Sequence, residues 1–154
     1  VLPVLVLGLG SVSCRALTKK HPVARVVEAK NERVLWNALR VAIHEENFQV
    51  GRSGADEGAR TIKSAWKLDL APFRGRGSRK KRANRSRTLT VPTELDPDLE
   101  AFAVTIRVES ETNESLRPMD VRYAKWTPAD DEPDVPKKLF LKIAGLLGTT
   151  KFKM

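Results

Sequence analysis

Between Phe102 and Glu109 the side chains alternate more cleanly than anywhere else in the chain: Phe102, Val104, Ile106 and Val108 on one parity, Thr105, Arg107 and Glu109 on the other. A period of two means a strand with one buried and one wetted face, the arrangement of an antiparallel sheet backed on one side only. Other stretches carry the same signal more briefly. Ile62, Ser64, Trp66 and Leu68 alternate with Lys63, Ala65 and Lys67; Leu89 and Val91 alternate with Thr88 and Thr90; and Ala24–Glu28 supplies a first strand. A further short strand is expected at Phe48–Arg52, and loops are expected around Gly54, Gly58, Pro92 and Pro97.

Two stretches switch to the helical period. Asn31 offers an N-cap and Glu32 a first-turn acid, and the pattern runs from Glu32 to Asn47. Arg33, Asn37, Arg40 and His44 form one polar stripe on an otherwise apolar helix. The second helix begins near Asp134–Pro136 and ends at Gly148, with Leu139, Phe140, Ile143, Leu146 and Leu147 as its buried face. Residues 111–133 read as a long acidic excursion with prolines, and Asp130, Asp131, Glu132 and Asp134 as a solvated acidic loop. The order predicts an α+β fold: an antiparallel four- to five-stranded sheet with two helices packed on one face. With 154 residues, 41% of them hydrophobic, one domain spanning 23–154 has enough apolar material for a core.

Residues 1–14 read VLPVLVLGLGSVSC. An apolar run this short does not span a bilayer as a helix, which needs about 20 apolar residues. It fits the apolar part of a secretory signal, with small residues Gly10, Ser11 and Ser13 leading to the single cysteine, Cys14. The small residue before Cys14 resembles the lipobox of bacterial lipoproteins, although Ser11 stands where that family prefers leucine and no basic residue precedes the run. The resemblance implies a signal segment at 1–13, lipidation of Cys14, a tether at 14–22, and a place in the cell envelope on the periplasmic side. Arg15 lacks the acidic character that holds such proteins at the inner membrane, which points to the outer membrane. A second reading takes VLVLGLGSVS as a strand entering a G-x-G-x-x-S turn, built on Gly8 and Gly10, of a Rossmann-like nucleotide-binding enzyme.

The formal net charge of +9 is concentrated in one place. Arg74, Arg76, Arg79, Lys80, Lys81, Arg82, Arg85 and Arg87 occur with no acid between them, and the other basic residues of the chain nearly balance its 19 acids. The segment reads as a hairpin loop with three possible fates: solvated, in contact with anionic lipid headgroups, or bound to nucleic acid. Trp66 and Trp126 read as core or rim residues.

From RVLWNALRVAIHEENFQV through ADEGARTIKSAWKLDL, marked by Trp36, Phe48, Val50, Glu57, Gly58, Ile62 and Trp66, the chain resembles small envelope lipoproteins. FAVTIRVESETNES and YAKW continue the likeness through Asn113 and Trp126. The layout is distantly similar to the helix-grip domain of the BamC-type lipoprotein of outer-membrane barrel assembly. That resemblance implies a non-enzymatic accessory and carries over no catalytic residue.

Catalytic chemistry finds little to work with. The two histidines, His21 and His44, fall in the tether and on the polar stripe, and one cysteine supplies no structural zinc set. No glycine-flanked nucleophile stands beside a second motif. The expectation is therefore a lipid-anchored binding or assembly module, with no catalytic residue, metal or cofactor. Its partners would be the membrane, anionic headgroups or another envelope protein. A cytoplasmic nucleic-acid-binding protein using 74–87 is the second class, and the nucleotide-dependent enzyme the third.

Overall fold

The stretch that alternates most cleanly becomes the axis of a seven-stranded sheet in which every pairing is antiparallel. The computed structural model describes residues 17–51, 55–56, 60–72, 81–115, 117 and 120–148. In chain order the elements are β1 (Val23–Glu28), α1 (Glu32–Glu45), β2 (Ala55–Asp56), β3 (Thr61–Lys63), β4 (Lys67–Pro72), β5 (Lys81–Asp96), β6 (Ala101–Asn113), β7 (Trp126–Ala129) and α2 (Asp134–Leu147). The α+β class and the two helices on one face are as expected. Four or five strands become seven among the described residues, because short segments share the edges of two long ones and β2 adds to β3.

Strands β5 and β6 pair from Asn84↔Thr112 to Asp96↔Ala101. The free edge of β6 is divided between β1, which pairs with Ala101–Ile106, and β7, which pairs with Ser110–Asn113. The free edge of β5 is divided between β3, opposite Leu89 and Thr90, and β4, opposite Lys81–Ser86. Residues 62–68 were expected to form one strand; the structure breaks it at 64–66. There the Ser64 hydroxyl takes the Thr88 N–H at 2.9 Å, and Ala65 turns its own N–H to Gln49 at 2.7 Å.

One face of the sheet carries the core. Phe102, Val104, Ile106 and Val108 are buried, as their parity requires, together with Val27 and Ile62. Leu35, Leu39 and Ile43 of α1 and Leu139, Phe140 and Ile143 of α2 pack on them in one cluster. Each such side chain contributes about 1.5–3 kcal/mol on burial. Leu146, expected inside, is 46% exposed.

The register of β5 reverses the expected faces. Thr88 and Thr90 lie opposite Val108 and Ile106 and are fully buried, while Val91 is 40% exposed. The local pattern offers two faces of similar β-propensity, and pairing with the strongly amphipathic β6 decides between them. Pro92, expected in a loop, lies inside β5 opposite Val104, where among the described residues no strand pairs its other edge.

Helix α1 starts as expected, the Asn31 side chain accepting the Val34 N–H at 2.9 Å. It stops at Glu45 because Asn47 adopts a left-handed conformation (φ 63°) and closes the end with two bonds, Asn47 N–H to His44 and Phe48 N–H to Ile43. The buried Phe48 ring completes that motif, so residues 48–51 form no strand. Residues 111–133 are likewise shorter as an excursion than expected, since β6 continues to Asn113 and β7 returns along it. Helix α2 keeps Pro136 in its first turn and ends on Gly148 at φ 69°.

Candidate functional site

The structure divides the basic run. Cys14 and the residues Arg74, Arg76, Arg79 and Lys80 lie outside the described residues. Lys81 and Arg82 open β5, opposite Pro72 and Ala71 of β4, before β6 joins the sheet at Asn84. They therefore belong to a two-stranded arm that extends past the end of β6 marked by Asn113. The sequence suggested a hairpin loop over this basic segment; Lys81–Arg87 are strand instead, and residues 73–80 lie outside the described residues.

Arg85 and Arg87 are a different matter, because both are built into the open face of the sheet. The Arg85 guanidinium lies 4.4 Å from the Trp66 ring centroid and 4.3 Å from that of Trp126. Its Nε donates to Glu111 at 2.6 Å. Arg87 lies 4.3 Å from Trp66 and donates to Glu109 at 2.7 Å. Arg107 bonds the other oxygen of Glu109 at 3.0 Å and then Asp131. Three arginines thus meet three carboxylates in a row with aromatic planes between them. Cation–π contacts of this kind contribute about 0.5–1 kcal/mol each at exposed sites. The hydrogen bond to Asp131 raises the Arg107 pKa above the ordinary guanidinium value, against an opposing effect of burial. Neither Arg85 nor Arg87 remains available to a distant anion without giving up a partner.

Asp131, expected in a solvated acidic loop, is 4% exposed. Besides Arg107 it accepts the His21 N–H at 3.0 Å, and its own N–H donates to the Lys19 carbonyl at 2.9 Å. Asp130 accepts the Lys19 N–H at 2.8 Å. Residues 19–21, expected to be part of a free tether, are therefore strapped to the sheet. Just upstream, Leu17 and Thr18 form one wall of a groove of about 650 Å³, with Lys125, Trp126, Pro128 and Asp130 opposite.

The loop joining β6 to β7 emerges from the same end. The Asn113 side chain ties its two stems by accepting N–H groups of Ser115 at 2.9 Å and Lys125 at 3.1 Å. Val121–Tyr123 forms a single 3-10 turn capped by Asp120, which accepts the Arg122 N–H and both its Nε and a terminal nitrogen. That guanidinium lowers the Asp120 pKa below its ordinary value. Leu17, Val121 and Tyr123 are 96%, 88% and 53% exposed.

Elsewhere, a cavity of about 750 Å³ beside α1 is lined by Asn31, Arg33, Trp36, Asn37, Arg40 and Arg60. Glu32 accepts the Trp36 Nε1–H there, and Arg40 lies over the Trp36 ring. Among the described residues no three His, Cys, Asp or Glu side chains are grouped to hold a metal ion. No helix among them is long and apolar enough to cross a membrane.

The sequence contained one signal for the stacked face. Arg85 and Arg87 share a parity, and so do Glu109 and Glu111, so two strands in register would pair them. Trp66, Trp126 and Asp131 carried no such signal. These features define a two-layer α+β domain with an open, ion-paired sheet face and a projecting basic arm. No protein-family model matches the chain, and no curated protein matches its sequence.

Proposed function

We propose that the protein is a non-enzymatic binding module of the cell envelope, lipid-anchored through Cys14 on the periplasmic side of the outer membrane, with the basic arm against anionic headgroups. One observation carries this reading: the start of the described chain and the root of the arm lie at the same end of the sheet. Leu17 and Thr18 lie against β7, which pairs with Ser110–Asn113, and the arm leaves the sheet at Asn84, opposite Thr112. Cys14 stands three residues before Leu17, a reach of no more than about 10 Å of extended chain.

That geometry matters because one acyl chain gives only marginal membrane binding and a second signal makes it stable. Basic residues near an anionic surface contribute roughly 1 kcal/mol each. Since Arg85 and Arg87 are held by Glu111 and Glu109, the contact with headgroups falls to the remaining basic residues of the run, Arg74 to Arg82. The stacked face stiffens the sheet where β5 leaves β6 at Asn84. The distant likeness to the BamC-type lipoprotein accords with the layout of helices on an antiparallel sheet. The nucleotide-binding alternative rests on Gly8 and Gly10, which with the rest of residues 1–13 lie outside the described residues; it needs a parallel βαβ unit, and among the described residues every strand pair is antiparallel.

The test is the mass of the membrane-fraction protein, which should show an acylated N-terminal Cys14, with Cys14→Ala releasing it or blocking processing. Charge reversal across Arg79–Arg82 should weaken co-sedimentation with anionic vesicles. A soluble product retaining residues 1–13 would overturn the anchor. An arm that binds nucleic acid with steep salt dependence, and ignores vesicles, would replace the membrane with the nucleic-acid reading.

A further inference from the structure

The loop between β6 and β7 has a feature that neither the arm nor the anchor uses. Val121 and Tyr123 are exposed on a turn that is locally well built. The Tyr123 N–H reaches the Asp120 carbonyl at 3.0 Å, and the Ala124 N–H reaches Val121 at 3.3 Å. Arg117 and Arg122 flank the Tyr123 ring at 5.1 and 5.9 Å. The hydrogen bonds that hold the loop thus also display an aliphatic side chain, with an aromatic ring and guanidinium groups just behind it. Leu17, which lines the groove together with Lys125 at the foot of this loop, is exposed and is followed by exposed Lys19 and Lys20.

An apolar tip in a basic collar matches the layering of an anionic bilayer surface. Aliphatic groups enter the acyl boundary, tyrosine sits at headgroup depth, and long cationic chains reach back to phosphate. Val121 and Tyr123 on a hairpin loop offer far less area than the roughly 800 Å² per partner of a stable protein interface. Arg122 is held by Asp120, so exposed Arg117, Lys125, Lys19 and Lys20 supply the charge that selects negatively charged lipid. We infer that this end of the domain is a bilayer-docking surface that inserts Val121 and Leu17 and sets Tyr123 among anionic headgroups, whether or not Cys14 is acylated. The inference rests on the membrane reading above but concerns a different surface, so the two can fail separately.

The experiment uses the full chain carrying Cys14→Ala, with Val121→Cys as the only thiol, labelled with an environment-sensitive nitrobenzoxadiazole probe. On phosphatidylglycerol-containing vesicles the emission should shift to the blue, and nitroxides placed shallowly in the acyl region should quench it. Phosphatidylcholine vesicles should leave it unchanged. In the Cys14→Ala chain, Val121→Asp with Tyr123→Asp should reduce co-sedimentation with anionic vesicles by about tenfold, with an unchanged far-ultraviolet spectrum. A probe that keeps its aqueous emission while the protein sediments with vesicles would overturn the inference and leave the arm's role intact. Failure of the Cys14→Ala chain to bind anionic vesicles at all would also overturn it. Absence of acyl mass at Cys14 in the membrane-fraction protein with natural Cys14 would remove the anchor alone.

Discussion

Arg107 holds Asp131 by two bonds, from Nε at 2.5 Å and from a terminal nitrogen at 3.1 Å, and the carboxylate is 2% exposed. Because the same carboxylate receives the His21 N–H, the pair joins β6, the segment after β7 and the strap before β1. Asp131→Ala leaves a partly buried guanidinium with one acid instead of two. It should cost about 2 kcal/mol in urea unfolding. Amide exchange at His21 should accelerate by more than exchange in the core strands. Equal protection of His21 in both proteins would show that the strap is held by something else.

Arg85 is the only side chain in contact with both Trp66 and Trp126 among the stacked pairs described. Arg85→Ala should destabilise by about 1–2 kcal/mol and shift tryptophan emission to the red as both rings gain water. Arg85→Lys should recover only part of this, since an ammonium has no plane to lay between two rings. A lysine variant with wild-type stability would show that the stack contributes charge alone.

Thr88 and Thr90 sit fully buried with hydroxyls that have no hydrogen-bond partner among the described residues. Valine fits the same space without a polar atom to desolvate. Thr88→Val and Thr90→Val should therefore each raise stability by about 1 kcal/mol, read from the denaturation midpoint at unchanged slope. A loss of stability would place an acceptor near those hydroxyls.

The Asp120 carboxyl bonded to Arg122 should titrate below the usual aspartate range in a carboxyl-carbon NMR titration. A depressed value means that the pairing favours the turn above the unfolded-state pKa and is lost as pH falls through the folded one. Order in Val121–Tyr123 should thus be present at neutral pH and fade as pH falls through the lowered Asp120 value. Arg122→Ala should raise the Asp120 midpoint; an unmoved midpoint would assign the shift to the backbone cap.

Much of the fold was readable because its signals are local. Asn31, the stripe of Arg33, Asn37, Arg40 and His44, and the Gly148 stop mark both helices within a few turns of chain. The alternation of Phe102–Val108 fixes the core face of β6 by itself. The candidate site was readable only in part. Its basic residues form a visible run, but the pairing of Arg85 and Arg87 to acids far along the chain depends on strand register.

The amino-acid sequence alone determined the α+β class, the helix boundaries to within two residues, the inward face of β6 and the concentration of positive charge at 74–87. Periodicity and caps act over neighbouring residues, so a short window contains the whole cause. Tertiary structure alone decided which face of β5 is buried, set Arg85 between two tryptophans, and drew Asp131 out of solvent to strap Lys19–His21. It also brought Leu17, the root of the basic arm and the Val121 turn to one end of the sheet. Each of these depends on which strands meet and in what register. Many weak contacts fix that choice together, and no single stretch of chain records it.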